Sequence, residues 1–251
     1  MPVRARGVGA FGALDSKAPT SNGVRSPMNS LEKKSVFIFL LLSLASPCWA
    51  NAIKMPPSQA ASRLAGDGRL YFVKNVGQVN PAIKFYENGS NRVASFTEEG
   101  VTLQFPRKII MVSPIGQKKG NHLIAGESQK GEVNYLFGNN PQKWRKHIPT
   151  YSSVVYKEVY PGVDIQYYGN GSELEYDVIV KPGANPESVR FSYKGIERLR
   201  VAKSGDLEAD VFAKEPSWRM QKRPIIYQEI NGERVEVGIC FRHFWGLFPN
   251  R

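Results

Sequence analysis

An all-β fold, an antiparallel sandwich-like domain of many short strands preceded by a signal peptide, is what this sequence predicts, and three observations point to it. The first lies between Tyr160 and Val180. There Val163, Ile165 and Tyr167 alternate with Asp164, Gln166 and Tyr168, and beyond Gly169-Asn170-Gly171-Ser172 the residues Leu174, Tyr176 and Val178 alternate with Glu173, Glu175 and Asp177. A repeat of two sends successive side chains to opposite faces, so two such runs around a turn read as a β-hairpin. The apolar set is expected in a core and the carboxylates in water or on a ligand. The second observation is punctuation: Gly 23 and Pro 17 interrupt the chain too often for long helices. The third is the aromatic content, Tyr 11 and Phe 13, which suits pleated, half-buried surfaces.

The chain has 251 residues and a formal net charge of +12. Residues 1–27 are rich in Gly, Ala, Ser and Arg without periodicity, and read as an extension upstream of a true start at Met28. From Met28, Lys33 and Lys34 form a positive n-region, Val36 to Leu44 an apolar h-region, and Ser46 to Ala50 a cleavage region. Residues 28–50 are therefore expected to be a signal peptide cleaved after Ala50. The run is shorter than the ~20 residues that span a bilayer, so no transmembrane span is expected after cleavage. Pro47 before Cys48 argues against a lipid anchor, and loss of Cys48 would leave Cys240 alone, with no internal disulfide.

Residues 51–69 form a polar lead-in expected to be flexible, and order is expected from Leu70. Leu70 to Val73 is a short apolar run, Ile83 to Glu87, Arg92 to Phe96 and Val101 to Phe105 read as successive strands of a meander, and Lys108 to Val112 reads as a further strand. Ser113 to Lys130 reads as a long polar loop, and Glu132 to Phe137 resumes strand character. Pro141 after Asn140 suits the first turn of a short helix through His147. Val154 to Tyr156 precedes the hairpin. Val189 to Tyr193, Leu199 to Ala202 and Leu207 to Phe212 follow it, and Ile225 to Ile230 pairs with Arg234 to Val237 across Asn231-Gly232. Residues 238–251 lose the alternation and read as an aberrant tail.

Several of these stretches together carry a family resemblance. Phe72 to Gln78, Gly131 to Asn139 with Trp144-Arg145, Tyr160 to Asp164, Leu174 to Asp177, Lys181 to Pro186 and Gln221 to Ile230 resemble the domain of unknown function that precedes SBBP repeats. Those repeats build β-propellers in secreted and cell-surface bacterial proteins. The resemblance covers residues 70–237 and implies a neighbouring propeller as partner. It brings no catalytic residues with it. No repeats occur in this chain, which is expected to be truncated before them.

The chemistry is read against this background. Glu173, Glu175 and Asp177 with Asp164 across the hairpin could hold a hard cation or act as acid and base. A calcium site, however, needs six to eight converging oxygens, and one strand face favours solvated carboxylates instead. Tyr167, Tyr168 and Tyr176 read as core and rim packing rather than a glycan platform. Trp144 and Arg145, within Lys143 to His147, could form an anion or sugar site, but a docked tryptophan with wet charges accounts for them as well. His122, His147 and His243 lack metal-ligand spacing, and no phosphate loop, nucleophile elbow or paired-cysteine motif occurs. Asn88-Gly89-Ser90 and Asn170-Gly171-Ser172 read as turns rather than glycosylation sites.

The expectation is a non-enzymatic exported domain at the cell surface, without a cofactor. Its partner would be the propeller or an anionic surface polysaccharide. Nucleic acid is not expected, because no reader motif accompanies the charge. The alternative is a carbohydrate-binding or carbohydrate-processing module on the hairpin. Its candidate ligand-binding residues are Asp164, Tyr168, Glu173, Glu175, Asp177, Trp144 and Arg145.

Overall fold

The computed structural model describes residues 3–7, 70–88, 92–118, 120, 122–211, 218–230, 233–236 and 246–247. The segments expected to be the signal peptide and the lead-in and most of the expected upstream extension lie outside them, as does the turn expected at Asn231-Gly232. Within the described residues the fold is all-β, in three sheets. The pairings are antiparallel, apart from a short parallel one at Arg190–Phe191.

The first sheet contains β1 (Val3–Gly7), β7 (His122–Ala125), β10 (Ser153–Tyr160), β11 (Val163–Asn170), β12 (Glu173–Val180), β17 (Ile225–Ile230) and β18 (Glu233–Glu236). Its spatial order is β18-β17-β1-β12-β11-β10-β7. The second holds β2 (Phe72–Lys74), β3 (Phe85–Asn88), β4 (Val93–Thr97), β5 (Gly100–Phe105), β6 (Lys108–Pro114), β8 (Ser128–Tyr135), β9 (Arg145–Tyr151), β13 (Arg190–Lys194) and β19 (Gly246–Leu247). Its order is β19-β13-β6-β5-β4-β3-β2-β9-β8. The run from β3 to β5 is the expected meander, the further strand β6 extends it on one side, and β2, from the short apolar run at Leu70 to Val73, extends it on the other. A small third sheet joins β14 (Arg198–Val201), β15 (Leu207–Asp210) and β16 (Trp218–Gln221).

One core lies between the two large sheets. Val163, Ile165, Tyr167, Leu174, Tyr176, Val178 and Val180 from the hairpin meet Phe72, Phe85, Phe96, Leu103, Ile110 and Phe191 from the facing sheet. This is the sandwich that the period of two demands, with the inward residues of each strand interdigitating. Tyr167 sits at its centre, edge-on to Phe96 at 5.3 Å and close to Tyr156 and Tyr176 at 5.9 and 5.4 Å. Such pairs add about 0.5–1.5 kcal/mol each beyond the area they bury. The polar ends of these rings find partners inside. The Tyr156 hydroxyl lies 2.9 Å from Thr97 O and 3.0 Å from Gly100 O, tying β10 to the β4–β5 turn of the other sheet. Gln221 joins the third sheet to the core, accepting from Tyr176 at 3.1 Å and donating to Tyr193 at 3.0 Å.

Three expectations are corrected. The helix at Pro141 to His147 is a single 3-10 turn, Pro141–Lys143, in which Asn140 caps Gln142 and Trp144 already adopts extended backbone. The chain then enters β9, because pairing with both β2 and β8 satisfies its backbone better than one more helical turn. The polar loop at 113–130 contains β7, which Leu123 and Ala125 anchor against the core while it pairs with β10. The third correction concerns the carboxylates and is described with the site. Two further strands fall in segments the sequence reading sets outside the 70–237 domain. β1 lies between β12 and β17, and β19 lies beside β13.

Candidate functional site

The hairpin register pairs Gln166 with Asp177, Tyr168 with Glu175 and Asn170 with Glu173, so these side chains share the face turned away from the core. Water was the expected environment there. Asp164, Glu175 and Asp177 are instead buried, at 3%, 2% and 5% exposure. The cause is local: β12 is an interior strand flanked by β11 and β1, and tall polar neighbours cover its outer side. Tyr168 donates to Asp177 at 3.0 Å, and Asn170 donates to Glu175 Oε1 at 2.9 Å. Lys222 reaches Glu173 from outside at 3.3 Å. One oxygen, Glu175 Oε2, is buried without a hydrogen-bond partner.

Asp164 belongs to a separate corner. The β10–β11 register shifts between Tyr156 and Tyr160, and within that bulge Glu158 takes a positive φ of 54°. Asp164 accepts the Glu158 N–H at 2.8 Å and Lys157 Nζ at 2.7 Å. Lys181 stands 3.9 Å away and also pairs with Glu158, which accepts the Gly162 N–H. Burial pushes the Asp164 carboxyl up, but the Glu158 N–H and the two lysines outweigh it and hold the group below the usual carboxylate range. Glu158 is lowered by its bond to Lys181 and then by the Gly162 N–H. Asp164 is thus a structural acceptor within a bulge.

Trp144 and Arg145 do not join these acids. They lead into β9 of the other large sheet, where the Trp144 indole donates to Gly138 O at 3.0 Å and carries Lys146 over its ring at 5.1 Å. Arg145 donates to Val76 O, Gln142 O and Trp144 O, fastening the Asn75–Gln78 link to the 3-10 turn. The candidate residues therefore divide between two sheets. Among the described residues no group of three or more His, Cys, Asp or Glu side chains is placed to hold a metal ion.

A cleft of about 490 Å³ opens elsewhere, where the β7 edge of one sheet meets β2 and β3 of the other. Lys74, Lys84 and His122 line it with Phe85, Tyr151 and Ile124, and Glu98 pairs with Lys84 at its rim, 3.3 Å away. Phe85 and Tyr151 meet edge-on at 6.1 Å. Cations beside aromatic surface can accept an acidic sugar. Sequence reasoning missed this group because its members come from distant strands, and no local spacing brings them together.

The family model described as Domain of unknown function (DUF7948) matches residues 72–244. The chain belongs to this family. The match takes in every strand from β2 to β18, runs past Val237 into the tail, and leaves β1 outside. No curated protein and no solved structure matches the chain. Among the described residues no helix is long and apolar enough to cross a membrane.

Proposed function

We propose that this DUF7948 chain is a non-catalytic, exported interaction domain of a cell-surface protein, one that in longer relatives stands next to β-propeller repeats. The observation that carries this reading is the use of the hairpin acids. Asp164 closes a bulge, Asp177 and Glu175 accept from neighbours in the same hairpin, and Glu173 meets Lys222. Acids engaged in this way hold strands together and leave no pair facing a substrate-sized space. Export is supported by the charge and apolar pattern of residues 28–50. The test is N-terminal sequencing of the chain recovered outside the cytoplasm of a bacterial host, together with a turnover screen on glycans. A new N-terminus near Asn51 and no turnover are expected; turnover abolished by Glu175→Gln with the fold intact would overturn the non-catalytic reading.

A second reading, carbohydrate binding without catalysis, is favoured by the cleft rather than by the hairpin. An anionic polysaccharide would set its carboxylates on Lys74 and Lys84 and a sugar face on Tyr151. Calorimetric titration with an acidic oligosaccharide decides it. Saturable binding that weakens about tenfold in Lys84→Ala, an effect of the size expected for one charge-assisted contact, supports it, and heats indistinguishable from dilution reject it.

A further inference from the structure

β12 and β17 both run antiparallel to β1 and are not bonded to each other. They are therefore parallel neighbours held one strand apart, about 9–10 Å across the gap at ordinary strand spacing. Val3 to Gly7 pair with Val180 to Tyr176 on one side, and Val3 to Arg6 with Gln228 to Ile225 on the other. The strand that fills this gap comes from outside the residues the family model matches. The family domain's own strands thus leave two facing rows of backbone donors and acceptors in the middle of a sheet, which an extended chain of any origin can satisfy.

We propose that the gap between β12 and β17 is a strand-acceptor slot that takes an extended segment of another polypeptide in the place Val3–Gly7 occupies. The side-chain chemistry of the slot specifies the guest. At the register positions of Val3 and Ala5 the inner neighbours are Val180, Val178 and Ile226, all buried, so small apolar residues fit there. At the position of Arg6 the neighbour is Asp177, and two positions further, beyond β1, stands Glu175 with its unpartnered buried oxygen. Basic residues at those two positions would meet both acids, the second supplying the donor that Glu175 Oε2 lacks. The guest is a strand with small apolar residues inward and Lys or Arg outward at alternate positions.

That the guest comes from another polypeptide rests on the export reading, since cleavage near Ala50 removes Val3–Gly7. The slot itself does not depend on export, and the experiment separates the two. A protease site inserted between residues 15 and 20 of the full chain is cut after folding, and a fluorescein-labelled peptide of residues 1–9 is added. Saturable uptake is expected, with displacement of the native fragment and with about tenfold weaker uptake of the Arg6→Glu peptide, as for a lost charge pair at a strand contact. A native fragment that resists a large excess of peptide would mean a fixed internal strand and overturn the proposal. A fragment that leaves without faster hydrogen exchange at the β12 and β17 amides would mean that no slot exists. If the insertion prevents folding, exchange on the unaltered chain decides. Those amides should open before the β11 amides and slow when the peptide is added, and the absence of both effects refutes the slot. N-terminal sequencing bears only on export.

Discussion

The Asp164 carboxylate accepts the backbone N–H of Glu158 at 2.8 Å, and that bond closes the bulge from which the hairpin starts. Glu158 sits in the left-handed region, at φ 54°, where a residue other than glycine costs about 1 kcal/mol. Asp164 offsets that strain by satisfying the turned-in N–H and by drawing Lys157 to the same site.

Asp164→Ala should destabilise the chain by about 2–4 kcal/mol, the cost of orphaning a part-buried donor and losing charge-assisted bonds. Urea unfolding at pH 7 measures this. Because the folded carboxyl titrates below its usual range, the stabilisation is present above the unfolded value near 4 and is lost as pH falls through the folded one. In the Asp164→Ala background Glu158→Gly should be about 1 kcal/mol more stable than Glu158→Ala, since both lose the bonds to Lys181 and the Gly162 N–H and only glycine removes the strain. No difference between the two would count against a strained bulge.

Glu87 should give the opposite pH dependence. It is fully buried on β3, 3.6 Å from Arg92, and neither carboxylate oxygen has a hydrogen-bond partner. Burial pushes its carboxyl up to about 7, with Arg92 pulling it back only in part. The folded state then holds the proton more tightly than the unfolded chain. The contribution is complete below about 4.5 and is lost as pH rises towards 7, by about 3 kcal/mol in total. Unfolding midpoints between pH 4.5 and 8 test this against Glu87→Gln, in which that slope should vanish. An unchanged slope would show that another group carries it.

Two glycines at positive φ should respond very differently. Gly171, at φ 59° in the hairpin turn, has open space where a Cβ would stand, and Gly171→Asn should cost less than about 1 kcal/mol because asparagine tolerates this region. Gly195, at φ 86°, would place a Cβ 2.1 Å from Ile109 O. Gly195→Ala should therefore cost more than about 3 kcal/mol, through strain and a clash with backbone that belongs to β6. Thermal unfolding of the two variants in parallel provides the comparison, and similar midpoints would refute the packing described for the Gly195 turn.

The hairpin was legible because both determinants are local. Alternation over Val163 to Val180 assigns the inward set, and Gly169 to Ser172 can reverse the chain. The same holds for the meander from Phe85 to Phe105 and for the β17–β18 pairing. The strands that went unread are those whose own residues give no such signal. His122–Ala125 is a four-residue edge strand that exists because β10 offers it a partner, and Val3–Gly7 is a strand because β12 and β17 leave room for one. The Arg145–Tyr151 strand was hidden by Asn140-Pro141, whose helix-start signal is real but lasts only one turn.

Local periodicity, turn chemistry and composition therefore determined from the sequence alone that the chain is an antiparallel sandwich, and which side of the hairpin meets the core. The environment of the other side was decided by tertiary structure. Whether Asp164, Glu175 and Asp177 meet water depends on the strands beside β12 and on the side chains that cover its outer face. The hydrogen-bond partners Tyr168, Asn170, Lys157 and Glu158 are close in sequence and the flanking strand β1 is far away, but only the folded register brings either kind of neighbour over the acids, so the spacing of the acids themselves carries no trace of them.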